Sequence, residues 1–494
     1  MKQQLISSWK RIAIIGVSLI GLIIYHVLYD LIIIMAVLCS AYAIGNIFNI
    51  RGKSEVRELL RFSVGLGILG VIIYFILFWG IGSKSVYMLL IVGSIMFQRQ
   101  KICNEIHLML VNIKEYTSKH RVSSLILWGV IAFYIFYASS PIDKYDTLTK
   151  HLPIAISAAK TGAWNTNVLE SIVYGESMVL QYTFSAVFVT FNAYKALAVF
   201  NVVLFIFCYY SLQLFCENLF GNFKAHTVLA IIVFSTPIFM EFATCYYLEI
   251  LPLLFLVVIV TCVTSNSGNE LWSNIPFLAW LGGCAIFSKL TISYSILVVA
   301  MIAFIRIANL RKSGRTMREI FIKSSKCILC LFGPFIFSVL NIAYKTGNPV
   351  FPFFNGIFKS PYFPMSNFED PFQNRLGLNI LSLRDMIFHT SKNIEMADGG
   401  LGIFLLFIAF ILISIFMSRS KKQVVSMIAC LVAFQISCFF TSNIRYSISI
   451  IFICAALVSG SCEEVLNKLM VNRKMANQFI YCTICLCILI PNVI

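Results

Sequence analysis

The sequence predicts an all-α protein that crosses a lipid bilayer many times, and three observations predict it. The first is composition: 59% of the 494 residues are hydrophobic, mean hydropathy is +0.88 and only 12% are charged. Soluble globular chains carry about 25% charged residues, so this chain takes lipid rather than water as its solvent. The second is that its apolar runs recur at lengths suited to about 30 Å of hydrocarbon. In lipid each such run must satisfy its own backbone amides, which makes it a helix. The third is where the basic residues fall between the runs.

The runs lie near 12–28, 30–49, 62–80, 85–98 and 122–139, then near 196–215, 227–245, 250–265, 276–288 and 291–308. The last group lies near 326–342, 401–417, 423–440, 446–462 and 478–494, for about fifteen expected transmembrane helices. The first run follows MKQQLISSWKR and has no small-residue cleavage site after it, so it is expected to be a retained helix. The stretch 177–192, ESMVLQYTFSAVFVTF, is apolar but short, and is expected to be a helix lying at the outer surface.

Charge supports this layout. Segments assigned to the cytoplasmic side hold 26 of the 38 Lys and Arg and carry a net charge of +17, while the remainder balances to zero. The net positive charge is therefore topological and gives no reason to expect nucleic acid as a partner. The N-terminus is expected in the cytoplasm. A full span at 177–192 would place the basic loop RIANLRKSGRTMREIFIKSSK outside, against the rule. The 16 Cys lie mostly within apolar runs, without CxxC pairing, and read as small apolar packing residues.

Two outward segments are longer than turns, about 140–195 and about 343–400, and both are rich in Pro, Gly, Asn, aromatic and charged residues. In the first, Asp143 and Asp146 stand just past the fifth run and His151 follows. A carboxylate at the membrane surface is placed to take a proton from a sugar hydroxyl as a general base, to ligate a divalent cation, or simply to cap a helix. Glu241, within the run 227–245, is an intramembrane acid and so a functional candidate. Asn348, Pro349 and the cluster 351–354 suit either a lipid or acceptor groove or a rigid aromatic turn.

The stretch YDTLTKHLP, followed by a helical segment ending at Gly162 and Trp164, resembles the first outer loop of GT-C-type glycosyltransferases. These are multi-pass enzymes that take a sugar from a polyprenyl-phosphate carrier, a superfamily including dolichyl-phosphate-mannose mannosyltransferases and aminoarabinose transferases. Lys150 stands where bacterial members usually have Tyr, and Thr147 where many have a second acid. Further likenesses follow in order: FSTPIFMEFATCYYLEI (234–250) with Glu249, LGGCAIFSKLTISYSIL (281–297) with Lys289, TGNPVFPFFNGIFKSPYF (346–363), and NIRYSISIIF (443–452) with Arg445. The resemblance covers roughly residues 122–460. It divides the chain into extra N-terminal helices (1–121), a catalytic membrane core (122–345) with the outer loop 140–195, a second outer loop (346–400) and C-terminal helices (401–494).

What the resemblance implies is a bacterial plasma-membrane glycosyltransferase with an extracytoplasmic site, a polyprenyl-phosphate sugar donor, and a lipid, glycan or protein acceptor. Asp146 matches the family's catalytic aspartate, with Glu249 and Asp143 as further acids. Lys289, Arg445 and His151 are candidates for the donor phosphate, since an Arg fork or a Lys charge suits phosphate oxygens. Snorkelling and helix-end anchoring remain alternatives for Lys289 and Arg445. A divalent cation would fall to Asp146 and Glu249, if any is used. A flippase for lipid-linked saccharide, or a polymerase or ligase using Arg375, Arg384 and His389, are the alternatives.

Overall fold

The computed structural model describes residues 16–18, 21, 25, 27–119, 121–221, 226–293, 295–296, 316–367, 388–392, 398–402, 405, 408–418, 420–440 and 443–469. Among the described residues the chain is helical throughout, without a strand. Two long helices, α1 (Val27–Gly45) and α2 (Ser54–Phe78), form an antiparallel hairpin. Their backbones touch: a Cβ on Gly65 would lie 1.9 Å from the Ala41 carbonyl oxygen, and one on Gly45 2.0 Å from that of Arg61. Small residues at a crossing let helices in lipid approach closely enough for van der Waals packing.

Next come α3 (Lys84–Phe97), α4 (Arg99–Lys119) and α5 (Arg121–Ala138). The segment 99–121, expected as a cytoplasmic connection, is thus largely helical as α4, though too polar to count as a span. The first long loop then holds α6 (Leu152–Thr161) and α7 (Leu180–Thr190). Most of the stretch 177–192 forms α7, whose residues 180–189 are all buried against its neighbours. At 11 residues it is ~16 Å long, about half the hydrocarbon thickness. It is too short to span.

The centre of the bundle is built from α8 (Ala196–Phe220), α9 (His226–Ser235), α10 (Pro237–Thr244), α11 (Ile250–Ser265) and α12 (Gly268–Ser288). Buried Asp30 on α1 accepts from the Ala196 amide at 2.9 Å and so anchors the start of α8. The single span expected over 227–245 is instead broken between α9 and α10 by a 68° bend, where Pro237 has no amide to continue the ladder. Capped by a Ser267–Glu270 box, α12 starts earlier than the 276–288 run suggested and keeps Pro276 inside it.

The remaining helices are α13 (Met317–Phe332), α14 (Ile336–Thr346), the short α15 (Asn355–Phe358), α16 (Ile408–Met417), α17 (Lys421–Phe440) and α18 (Ile444–Leu469). The run expected at 326–342 is split by a 54° bend between α13 and α14, beside Gly333 and Pro334. Among the described residues, five helices are long and apolar enough to cross a membrane, namely α1, α2, α8, α12 and α18 over Ile444–Leu466. The number is up to seven if each bent pair forms one span. Four shorter apolar helices add to these: α3, α11, α16 and Ile126–Ala138 of α5. This is the makeup of a helical membrane protein. The runs expected near 12–28, 291–308 and 478–494 lie largely or wholly outside the described residues.

The bundle has two chemically different ends. At one, Arg51 and Asn274 exchange hydrogen bonds of 3.1 and 2.6 Å, and Lys53 and Lys422 both reach Asn218, at 2.8 and 2.7 Å. All the basic residues here come from segments the sequence assigned to the cytoplasmic side. At the other end the loops assigned outward meet one another. The Gly82 amide donates to the Gly162 carbonyl at 2.8 Å, the Trp164 amide to that of Leu77 at 2.9 Å, and Ser338 Oγ to that of Ser177 at 2.7 Å.

Because the α1–α2 crossing leaves no room for a Cβ, Gly65→Val should force the hairpin apart and cost ~1–3 kcal/mol. A thermal unfolding scan in detergent checks this, and an unchanged Tm would contradict the close approach.

Candidate functional site

The site is assembled on an irregular stretch, residues 245–249, between α10 and α11. The carbonyls of Cys245, Tyr246 and Tyr247 lie outside any helix and are met by side chains from other segments. Asn201 Nδ2 donates to the carbonyls of Cys245 and Tyr247, both at 2.8 Å, and Gln181 Nε2 donates to that of Tyr247 at 2.9 Å. Gln181 Nε2 also donates to Asn201 Oδ1 at 3.0 Å. The Tyr246 carbonyl accepts from Thr147 Oγ1 at 2.9 Å, and the Tyr246 hydroxyl donates to Ser185 Oγ at 2.7 Å. These donors offset the cost of burying the loop's carbonyls. The result is a rigid seat for Glu249 just before α11.

Asp146 comes to the same place from the other side. It directly precedes a π-helical turn, Thr147–His151, that runs into α6; such turns recur at functional sites. Thr147 ties that turn to Tyr246. At the far end of α6, Gly162 adopts a left-handed φ of 64°, which any side chain would strain.

Four charged residues from four distant segments converge here. Arg445, in the first turn of α18, bonds Glu249 through Nε and Asp146 through Nη1. Lys289, which ends α12, bonds the same Glu249 oxygen. The Glu249 side chain is 2% exposed and that of Asp146 is 37% exposed. Arg445 also lies 4.7 Å from the centroid of the Tyr247 ring, and the Lys289 ammonium 5.4 Å from that of Tyr446, close enough for cation–π attraction.

Burial alone would raise the Glu249 carboxyl, but the Arg445 and Lys289 charges outweigh it and hold the group at about 2. Burial pushes the Lys289 ammonium down to about 8, against the pull of Glu249. The cluster is a closed set of two anions and two cations. One acid is locked inside it and the other stands at its rim.

The other candidate residues are placed differently. Asp143 is exposed and takes part in no ion pair among those described. His151 is buried, with Nδ1 2.7 Å from the Tyr182 hydroxyl and its ring edge-on to Tyr246. Burial, with the nearby Lys150 and Arg445 charges, pulls its pKa well below the usual value. It is therefore a packed neutral ring rather than a presented cation. Tyr182 continues to Glu176 at 3.4 Å, which pairs with Lys150. The intramembrane acid Glu241 is matched by Lys144 at 3.1 Å.

Asn348 and Asn355 build a tight turn. The Asn348 amide group donates to the Phe353 carbonyl at 2.9 Å, and that of Asn355 to the Ser360 and Phe363 carbonyls, both at 3.0 Å. His389 stands 3.8 Å from Asp398, while Arg375 and Arg384 lie outside the described residues.

Asp146 and Glu249 meet on a guanidinium, and among the described residues no group of three or more His, Cys, Asp or Glu converges. Sequence reasoning missed the carboxamides Asn201 and Gln181 and the aromatic supports Tyr247 and Tyr446. Only the doubled Tyr before Leu248 and the Arg445–Tyr446 pair hinted at the latter. Protein-family models, curated proteins and solved structures yield no match to this chain.

Removing Glu249 leaves two cations facing each other without water. Glu249→Ala should therefore cost ~3–5 kcal/mol, whereas Asp146→Ala, at the exposed rim, should cost much less. Thermal unfolding of the two variants in detergent tests the order, and equal Tm losses would contradict it.

Proposed function

We propose that the chain is a GT-C-type membrane glycosyltransferase, with about fifteen transmembrane helices around the described bundle. It transfers one sugar from a polyprenyl-phosphate donor to a lipid, glycan or protein acceptor. In this reading the charge cluster faces the outside of a bacterial plasma membrane and the basic end faces the cytoplasm. The observation that carries it is the convergence of Asp146, Glu249, Lys289 and Arg445, residues far apart in sequence, at one end of the bundle.

The chemistry follows from the difference between the two acids. Glu249 is held by both cations through one oxygen and acts as a fixed counter-charge. Asp146 reaches water and shares Arg445 only through Nη1. A donor phosphate competes for Arg445 and Lys289, which suit it as a planar fork and a point charge, and this loosens the hold of Arg445 on Asp146. The freed carboxylate takes the proton of the acceptor hydroxyl. That oxygen attacks the anomeric carbon as the bond from that carbon to the phosphate oxygen breaks. The leaving polyprenyl phosphate keeps the electron pair, and its charge is met by the two cations. Attack opposite the leaving group inverts the anomeric carbon.

Asp146→Asn should lower transfer from a labelled polyprenyl-phosphate sugar by ~10²-fold or more, with Asp143→Asn close to wild type. Transfer that survives Asp146→Asn would remove Asp146 as the base, and a lipid-linked sugar moved across the bilayer unchanged by wild type and variant alike would favour a carrier. Lys289 is a cation only below its pKa, so kcat/KM should fall as pH rises through about 8. Lys289→Arg, which stays charged, should move that fall to higher pH. An alkaline limb indifferent to this substitution would remove Lys289 from phosphate binding.

A further inference from the structure

A cleft of about 450 Å3 opens between the two long loops, lined chiefly by Trp164, Asn165, Thr166, Asn167, Lys345 and Tyr362. It lies at the same end of the bundle as the charge cluster. The Trp164 ring is 6.4 Å from that of Tyr182, whose hydroxyl meets His151, the last residue of the turn that follows Asp146. Its volume falls within the ~300–1,000 Å3 range of small-molecule sites.

The walls are held in shape before any ligand arrives. The Trp164 amide is pinned to Leu77 at the end of α2. Asn165 and Asn167 both donate to Glu170, at 2.8 and 3.2 Å, and the Asn167 amide donates to Asn165 Oδ1 at 2.9 Å. Lys345, in the last turn of α14, bonds Thr166 and joins the two loops. Among the described residues no carboxylate lines the cleft; the nearby Glu170 is engaged by the two asparagines.

Such a lining selects its ligand by chemistry. Two aromatic rings offer flat apolar faces, while carboxamides, a hydroxyl and an ammonium offer donors and acceptors around them. A sugar ring has the matching form, with a C–H face and an equator of hydroxyls. Val168 and Leu169 are the aliphatic part of the lining, too small a share to hold a lipid chain, and among the described lining residues a polyphosphate would meet one cation, Lys345.

We propose that this cleft is a saccharide subsite that holds the acceptor, a glycan with neutral or acidic residues, beside the transfer site. The proposal rests on the transferase reading for the acceptor's role, and its test is chosen to stand apart from catalysis. Purified protein in lipid nanodiscs, without donor, is titrated with a panel of neutral and uronate-containing oligosaccharides. At least one should bind. Trp164→Ala and Tyr362→Ala should each weaken it by about tenfold or more, while Asp143→Asn, at an exposed position outside the cluster, binds as wild type. Tyr362 is half-exposed, so its truncation spares the fold where Trp164 is packed on Tyr74 and Tyr182. Failure of every oligosaccharide to bind, affinity unmoved by both substitutions, or a cleft filled by nanodisc phospholipid that no sugar displaces would overturn the subsite. If binding needs Trp164 and Tyr362 but no polyprenyl-phosphate sugar is consumed, the subsite stands and the transferase reading falls.

Discussion

One carboxylate, that of Glu249, sits almost without solvent exposure at the end of a membrane bundle, and the architecture around it follows from that burial. An isolated charge there would cost several kcal/mol. It is stabilised only because Arg445 and Lys289 arrive together with the right geometry. Meeting at that point constrains the start of α11, the end of α12 and the start of α18 at once. The irregular stretch before Glu249 requires the same discipline, which is why Asn201 and Gln181 are buried in helices otherwise made of apolar side chains.

Arg445 links structure to chemistry. Its planar group divides between an acid that never meets water and one that does. A lysine could offer the charge but not two fixed directions at once. The inner contact makes the arginine rigid, and the outer contact makes it exchangeable. A site that must hold a phosphate and release a base has use for both properties. Tyr247 beneath the guanidinium closes the face that neither acid covers.

The charged residues were legible in the sequence because ionisable groups at the ends of apolar runs are rare and costly, so few candidates existed for each helix end. Glu249, Lys289, Arg445 and Asp146 are brought together as a set, while Asp143, three residues earlier, is exposed. Spacing does not tell one loop acid from another when both follow the same helix. Depth was less legible. An apolar stretch such as 177–192 has the same composition on a surface as inside a bundle, and only packing shows that α7 is buried. The bend at Pro237 and the carboxamide supports were also hidden. A proline in an apolar run signals a break without its angle, and a lone Asn gives no sign of the carbonyl it serves.

The central claim is that the cluster meets a sugar linked to a lipid phosphate. Its most direct test is to incubate the purified protein in nanodiscs with a panel of labelled polyprenyl-phosphate sugars and to follow the fate of both halves. The account predicts that one of them is consumed, releasing free polyprenyl phosphate as its sugar passes to an acceptor or to water. Donors that all remain intact, while the protein moves a lipid-linked saccharide across a vesicle bilayer unchanged, would contradict it.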